Sequence, residues 1–199
     1  ELGDLDGDGV DEIAVATHDQ GVVAVADKGE DGTWTVVEMD EKKDTFVHEI
    51  ETGDVDGDGV EEFYATPSDR NKSSGESQRG GVVRYDLKDG KYVRSDVVFW
   101  DESHAKEILV ADQDGDGTDE LYAVREAHIV KDESGKKQRE TPVKIIKFTR
   151  DGAKWTEALV AELDDDQCRF LVSGDLDGDG KLDLLAAGYK SGLWFLRQK

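Results

Sequence analysis

The stretch Asp54-Val-Asp-Gly-Asp-Gly-Val-Glu-Glu62 occurs, with small changes, four times in the chain. We number these acidic loops 1 to 4 in chain order: residues 4–12, 54–62, 112–120 and 175–183. In every copy a carboxylate stands at loop positions 1, 3, 5 and 9, and glycine stands at positions 4 and 6. Two carboxylates about 4 Å apart repel each other by roughly 4 kcal/mol at an effective dielectric of 20. Four copies of so costly an arrangement predict a bound cation.

The chemistry of the loops favours calcium as that cation. Oxygen ligands on a flexible loop suit calcium better than magnesium, which demands stricter octahedral geometry. We predict four Ca²⁺ sites, each with carboxylates at positions 1, 3, 5 and 9 and a backbone carbonyl at position 7. The predicted ligands are Asp4, Asp6, Asp8, Val10 and Glu12 in loop 1; Asp54, Asp56, Asp58, Val60 and Glu62 in loop 2; Asp112, Asp114, Asp116, Thr118 and Glu120 in loop 3; and Asp175, Asp177, Asp179, Lys181 and Asp183 in loop 4.

An EF-hand begins with a similar motif, but the residues after each loop exclude it. An EF-hand needs a bidentate Glu at loop position 12 and a helix on each side. Position 12 is Val15, Ala65, Ala123 or Ala186 here. Each loop is followed by a short apolar run, such as Leu184-Leu-Ala-Ala, which is typical of a strand.

Charge and composition exclude several classes of protein. The chain has 199 residues and a formal net charge of −23. This charge disfavours nucleic acids, whose binding depends on phosphate neutralisation by Lys and Arg, and it disfavours anionic membrane surfaces. No apolar run approaches the length of about 18 residues that a transmembrane helix needs. Cys168 is the only cysteine, so a disulfide within the chain is impossible.

The spacing of the loops indicates a repeat protein. They start at residues 4, 54, 112 and 175, which are 50, 58 and 63 residues apart, and periods of this size are typical of solenoids, propellers and arrays. We predict an all-β chain in which four antiparallel strands recur per unit, as in a propeller blade. Residues 1–199 form a single segment with repeats at roughly 1–45, 46–103, 104–166 and 167–199. We expect 14 strands, because the first and last units are each incomplete.

The motif Asp-x-Asp-Gly-Asp-Gly-x-x-Glu/Asp with its apolar strand resembles the FG-GAP/VCBS repeat family, the calcium-binding blades of integrin-α-like propellers. The resemblance covers all four units. It implies a β-propeller whose calcium loops join the first and second strands of each blade on one face. It also implies that the four blade repeats belong to a larger seven- or eight-bladed ring, completed by another chain or a missing segment. An extracellular, cell-surface or periplasmic location follows from the presumed need for calcium.

Three basic residues share one register. His48, Lys106 and Arg169 each stand six residues before an acidic loop, on the strand that should border the channel. This register predicts a ring of basic groups near the mouth opposite the calcium loops, able to attract a carboxylate-bearing ligand. Two long connections that should open on the same face, residues 66–81 and 125–142, add the candidate ligand-binding residues Arg70, Lys72 and His128. His104, just before the same inner strand of the third unit, is a further candidate.

Two functions fit these features. The first is a binding scaffold that presents a protein or glycan ligand on the face opposite the calcium loops, which hold Ca²⁺ for stability. The alternative is a propeller-type polysaccharide lyase or dehydratase acting on an acidic sugar, with His48, Lys106 and Arg169 as catalytic candidates. No nucleophile motif or dinucleotide fingerprint is present, so whether the chain is an enzyme stays open.

Overall fold

The protein is all-β. The computed structural model describes residues 1–42 and 45–198, and this part of the chain contains 17 strands and no helix. The strands of sheet I are β1 (Leu2–Gly3), β2 (Glu12–Ala16), β3 (Val22–Lys28) and β4 (Trp34–Glu41). The strands of sheet II are β5 (Thr45–Gly53), β6 (Glu62–Asp69), β7 (Gly80–Lys88) and β8 (Lys91–Trp100).

The second half of the chain continues this pattern. The strands of sheet III are β9 (Ala105–Ala111), β10 (Glu120–Arg125), β13 (Val143–Asp151) and β14 (Lys154–Leu163). Sheet IV contains β15 (Cys168–Gly174), β16 (Asp183–Gly188) and β17 (Gly192–Leu196). A separate hairpin consists of β11 (His128–Lys131) and β12 (Lys137–Thr141). All pairings are antiparallel, and each acidic loop joins the first two strands of its sheet.

The glycines explain how each acidic loop turns so tightly. Those at loop positions 4 and 6 have positive φ in all four copies, for example 79° at Gly7 and 87° at Gly9. Side chains other than glycine avoid this region because of their Cβ. The repeated Gly-Asp-Gly therefore fixes the backbone that brings the acidic side chains together.

Three hydrophobic cores lie between consecutive sheets. Phe63 packs in the core between sheets I and II, whereas the next residue, Tyr64, packs in the core between sheets II and III. Leu121 and Tyr122 are divided in the same way between the second core and the third, which lies between sheets III and IV. Alternation along a strand sends successive side chains to opposite faces, so the two middle sheets are buried on both sides.

Backbone hydrogen bonds also connect neighbouring acidic loops. The amide of Glu61 in loop 2 donates to the carbonyl of Asp4 in loop 1 (3.2 Å), and the amide of Asp119 in loop 3 donates to the carbonyl of Asp54 in loop 2 (3.1 Å). A Cβ at Gly53 would lie 2.6 Å from Asp119 Oδ2, so glycine before the loop permits this approach. The loops consequently form one chain of contacts along one end of the strands.

Several predicted boundaries were wrong. The expectation of 14 strands missed the two-residue β1, because sequence patterning cannot separate so short a strand from a loop, and it missed the hairpin β11–β12 inside the predicted loop 125–142. Strand β4 ends at Glu41 and β5 begins at Thr45; residues 43–44 between them lie outside the described residues, as does residue 199 of the last repeat. In the described residues, no backbone pairing joins sheet I to sheet IV and no closed barrel is formed.

Candidate functional site

The first aspartate of each acidic loop organises the turn. Asp4 accepts the amide of Gly7 on Oδ1 (2.8 Å) and the amide of Gly9 on Oδ2 (3.0 Å). Asp54, Asp112 and Asp175 accept the corresponding glycine amides in their own loops, at 2.7–3.1 Å. The same carboxylate therefore folds the loop and remains a possible ligand, because each oxygen has a second lone pair.

Carboxylates converge in all four loops. In each loop, oxygens of at least three acidic residues lie within 4.8 Å of one another and could hold a metal ion. The clusters are Asp4, Asp6 and Asp8; Asp54, Asp56, Asp58 and Glu62; Asp112, Asp114 and Asp116; and Asp175, Asp177 and Asp183. These sets consist only of hard oxygen donors, so their chemistry fits Ca²⁺. Asp179 and the residues Glu12 and Glu120 are not part of these clusters, and the carbonyl ligands predicted at position 7 stay a prediction.

The acid at position 9 is buried and closes the loop. Glu12 accepts the amide of Leu5 (2.8 Å), Glu120 accepts the amide of Gln113 (2.9 Å), and Asp183 accepts the amide of Leu176 (3.3 Å). Burial, assisted by the charge of nearby Asp6, raises the pKa of Glu12 to about 7. A bound cation would oppose this rise, because a positive charge favours the ionised carboxylate.

In loop 2, arginines already contact the acidic cluster. Arg84 on β7 is buried, and its Nη2 lies 2.6 Å from Asp56 and 2.5 Å from Glu62 and also contacts Asp86. Arg150 on β13 reaches across from sheet III to Asp56. Burial nevertheless raises the pKa of Glu62 to about 8, against the lowering effect of Arg84. Without a bound cation, burial therefore favours the protonated form of Glu62 even beside Arg84.

Loops 3 and 4 have one basic neighbour each. Lys147 on β13 lies 2.9 Å from Glu120, and Arg197, which follows β17, contacts Asp177 and approaches Asp179 at 3.9 Å. Loop 1 differs, because within residues 1–42 and 45–198 no lysine or arginine forms a salt bridge with its carboxylates. Of the four candidate centres, loop 1 therefore has the fewest basic neighbours among the described residues.

The sequence contained a signal for these basic residues that the prediction missed. Arg84 pairs with Tyr64 and Lys147 pairs with Tyr122, and both tyrosines stand at position 11 counted from the start of their loop. The corresponding partner of Ala14 in sheet I is Val25. Aligning the third strands of the repeats would have shown two basic residues at one register.

The three basic residues predicted on the inner strands do come together. The ammonium of Lys106 lies 3.0 Å from Nδ1 of His48, and Nε2 of the same ring lies 2.8 Å from Ser68 Oγ. Arg169 shares the lining of one cavity with Lys106. Burial, followed by the charges of His104 and Lys106, lowers the pKa of His48 to about 2, so this histidine is neutral.

All three residues occupy β-bulges. In β5 the register shifts between Val47 and Ile50, so His48 lies in the irregular stretch. Lys106 lies at the register shift of β9 against β10, and Arg169 lies at that of β15 against β16. A bulge adds a residue without a partner and redirects its side chain, and bulges are common beside binding sites. Simple alternation along these strands therefore could not have predicted where the basic side chains point.

Of the other predicted ligand-binding residues, two line this cavity and two lie elsewhere. Lys72 and His104 line the same cavity as Lys106. Arg70 donates to the carbonyl of Asp19 (2.7 Å) and lies over the ring of Phe46. His128 lies on β11, with Nδ1 3.1 Å from Glu140, and does not line the cavity.

No helix in the described residues is long and apolar enough to cross a membrane.

Comparison with known families agrees with the motif. Residues 4–65 match the model of an FG-GAP-like repeat, which covers loop 1, strands β2 to β5, loop 2 and the start of β6. No curated protein matches the chain significantly. The resemblance predicted from the acidic loops is confirmed for residues 4–65, which are similar to an FG-GAP-like repeat, and for the later units it stays a prediction.

Proposed function

We propose that this chain is a calcium-stabilised domain of β-propeller type, whose four repeats are consecutive blades of a larger ring and whose face opposite the acidic loops binds a protein or glycan. The observation that carries the proposal is the recurrence of an acidic cluster at the same place in four consecutive sheets. A single acidic turn would be an ordinary solvated loop. Four equivalent clusters, two of them beside a buried glutamate with a raised pKa, are better explained by bound cations.

The exposed faces of the end sheets support the larger ring. Val36 in sheet I is 62% exposed and Leu193 in sheet IV is 72% exposed, whereas the facing surfaces of the middle sheets are buried in cores. A further sheet at each end, from another chain or from additional sequence, would bury these apolar surfaces. An extracellular, cell-surface or periplasmic location follows from the proposal, because calcium sites in extracellular modules bind with dissociation constants of roughly 0.1–1 mM.

The experiment is thermal unfolding in calcium, in magnesium and with a chelator, combined with native mass spectrometry. At a calcium concentration about 100 times the dissociation constant, each occupied site contributes about 2.7 kcal/mol, provided the unfolded chain does not bind the ion. We expect four ions per chain and a large fall in Tm on chelation, which calcium restores and magnesium does not. An unchanged Tm with no bound calcium would refute the proposal.

A lyase or dehydratase acting on an acidic sugar is the second candidate function. The observation that favours it is the placement of His48, Lys106 and Arg169 in bulges on three consecutive inner strands. Against His48 as the base, both of its ring nitrogens are hydrogen-bonded and its pKa is low. Turnover of an acidic polysaccharide that His48→Gln and Lys106→Gln abolish without changing Tm would favour the enzyme over the scaffold.

A further inference from the structure

A cavity of about 810 Å³ lies at the end of the strands opposite the acidic loops. Its walls come from the connection between β6 and β7, from the hairpin β11–β12, from the connection between β14 and β15 and from the turn after β16. In an antiparallel sheet these connections lie at the other end of the strands from the link between the first and second strands. The cavity is therefore separate from the candidate metal centres.

The charge of the cavity contrasts with that of the chain. Its lining contains six basic residues against five acidic ones, in a protein whose net charge is −23. The acidic residues at the rim are already bonded: Arg139 contacts Asp164 and Asp166, and Asp165 accepts the backbone amides of Lys190 and Ser191, both at 2.7 Å. The remaining positive charge is thus concentrated away from this rim.

Lys106 and Arg169 carry this positive charge. Neither forms a salt bridge with any described residue, although the structure places them on neighbouring inner strands. Lys106 donates to neutral His48, and Arg169 donates to the amide oxygen of Gln167 while its guanidinium lies over the ring of Tyr189, 5.4 Å from the centroid. The buried carboxyl of Glu126 lies near both cations but forms no salt bridge with either, and burial raises its pKa to about 7. Two cations whose hydrogen-bond partners are neutral, in a concave site, form a receptor for an anionic group.

The rest of the lining indicates which anion fits. Apart from the ring of His104, only Ala127, Ile129 and Tyr189 contribute apolar or aromatic side chains. One hydroxyl and four carboxamide side chains also line the cavity: Ser77, Asn71, Gln78, Gln138 and Gln167. Two further polar atoms in the wall, Nδ1 of His104 and Oε1 of Glu126, are buried without a hydrogen-bond partner. Such a wall matches a ligand rich in hydroxyl groups and does not match an apolar one.

We propose that this cavity binds a carboxylate-bearing saccharide, with Lys106 and Arg169 contacting the carboxylate and the amide and hydroxyl side chains contacting the sugar hydroxyls. This assignment rests on the binding face of the proposed function and names its ligand class. The exposed ring of Tyr189, at the edge of the cavity beside Arg169, offers an aromatic surface to the carbon side of a sugar ring.

The test is isothermal titration calorimetry with a galacturonate tetramer at fixed calcium concentration. We expect wild-type protein to bind the tetramer and to bind its fully methyl-esterified form at least tenfold more weakly, because esterification removes the charge. Lys106→Gln and Arg169→Gln should each weaken tetramer binding tenfold or more, since each removes a charged hydrogen-bond donor. Lys154→Gln, an equal charge change at an exposed position on β14 outside the cavity, should bind like wild type.

Each other outcome would overturn the assignment. Equal binding by wild type and both variants would place the saccharide elsewhere, including on calcium at the acidic loops. Equal binding of the ester would exclude the carboxylate contact, and equal binding of a glutamate tetrapeptide would exclude the saccharide class. No binding by a protein that calcium stabilises would refute this inference and leave the calcium proposal intact. Arg169 is exposed, so its variant tests the site even where Lys106→Gln lowers Tm.

Discussion

Loops 1 and 2 have the same motif but different electrostatic surroundings. In loop 2 the buried Arg84 contacts Asp56, Glu62 and Asp86, and Arg150 adds a second contact from the next sheet. In loop 1, within the described residues, no basic side chain forms a salt bridge with the cluster. The two loops show that a repeated motif can keep its backbone conformation while the basic side chains around it differ.

The difference arises on the third strand of each sheet. Val25 in sheet I occupies the register of Arg84 in sheet II, while Asp27 and Asp86 occupy equivalent positions two residues later. Sheet I therefore has Asp27 at the position of Asp86 but has no basic residue at the position of Arg84. Repulsion from Asp27 contributes to the raised pKa of Glu12. Loop 1 should therefore need an external cation more than loop 2 does.

The largest expected effect is that of Arg84→Leu. This change leaves Glu62, Asp86 and Asp56 without their central cation, and breaking a buried ion pair typically costs about 3–5 kcal/mol. We expect chemical denaturation in chelator to show a loss of this size and added calcium to recover part of it. Arg79→Leu is the matched control, because Arg79 is 48% exposed in its pair with Asp101 and such pairs contribute about 1 kcal/mol or less. Equal losses from both changes would contradict the role assigned to Arg84.

A second prediction concerns a buried acidic residue that lies outside the acidic loops and has no arginine partner among the described residues. Burial, followed by repulsion from Glu49 and Glu51, raises the pKa of Glu107 on β9 to about 8. A carboxyl group with a raised folded pKa stabilises the protein fully below its unfolded value of 4.5, and this stabilisation is lost as pH rises through about 8. Glu107→Gln should therefore be nearly neutral at pH 4.5 and stabilising by roughly 3 kcal/mol at pH 9.

Denaturation curves of wild type and Glu107→Gln across this pH range measure the effect. The exposed Glu157 on β14 provides the control, and Glu157→Gln should show little change with pH. A pH-independent difference for Glu107→Gln would mean that Glu107 is ionised throughout.

The third prediction separates the two loops by hydrogen exchange. Calcium at about 100 times its dissociation constant should protect the amides of loop 1 by about 2.7 kcal/mol, since no lysine or arginine among the described residues forms a salt bridge with this cluster. Protection of loop 2 should increase less, because Arg84 and Arg150 already contact its carboxylates. Equal changes in residues 4–12 and 54–62 would show that the arginines do not replace the ion.

The smallest expected effect concerns the change in the free energy of unfolding caused by two variants. This change should reverse sign between chelator and calcium for Asp6→Asn but not for Asp56→Asn. Asp6→Asn removes a charge from loop 1 and should stabilise the chelated protein by about 1 kcal/mol, because repulsion decreases. The same variant should be destabilised relative to wild type in calcium, since a ligand charge is lost. Asp56→Asn should destabilise in both conditions, because Asp56 accepts from Arg84 and Arg150. Thermal unfolding of both variants, in calcium and in chelator, measures these changes in stability.

The sequence predicted local features better than distant ones. The acidic loops, the strands that follow them and the glycine turns are each encoded within a few residues, and the structure contains them. Arg84 escaped prediction because its role depends on cross-strand register, and the bulges that contain Lys106 and Arg169 break simple alternation. The cavity could not be predicted, because three sheets and a hairpin contribute to it.

The hydrogen bonds between consecutive acidic loops influence how such a chain can evolve. Main-chain bonds from the amides of Glu61 and Asp119 to the carbonyls of Asp4 and Asp54 join loops 1 to 3, whereas the side chain of Gln113 joins loop 3 to Leu182 in loop 4. A unit that keeps the loop backbone can therefore keep the main-chain bond to its neighbour, whereas the bond through Gln113 also depends on that side chain. Duplication or loss of a whole repeat leaves compatible neighbours, whereas an insertion inside a loop breaks the joint. Gene rearrangements that respect the repeat boundary are thus the ones that this architecture tolerates.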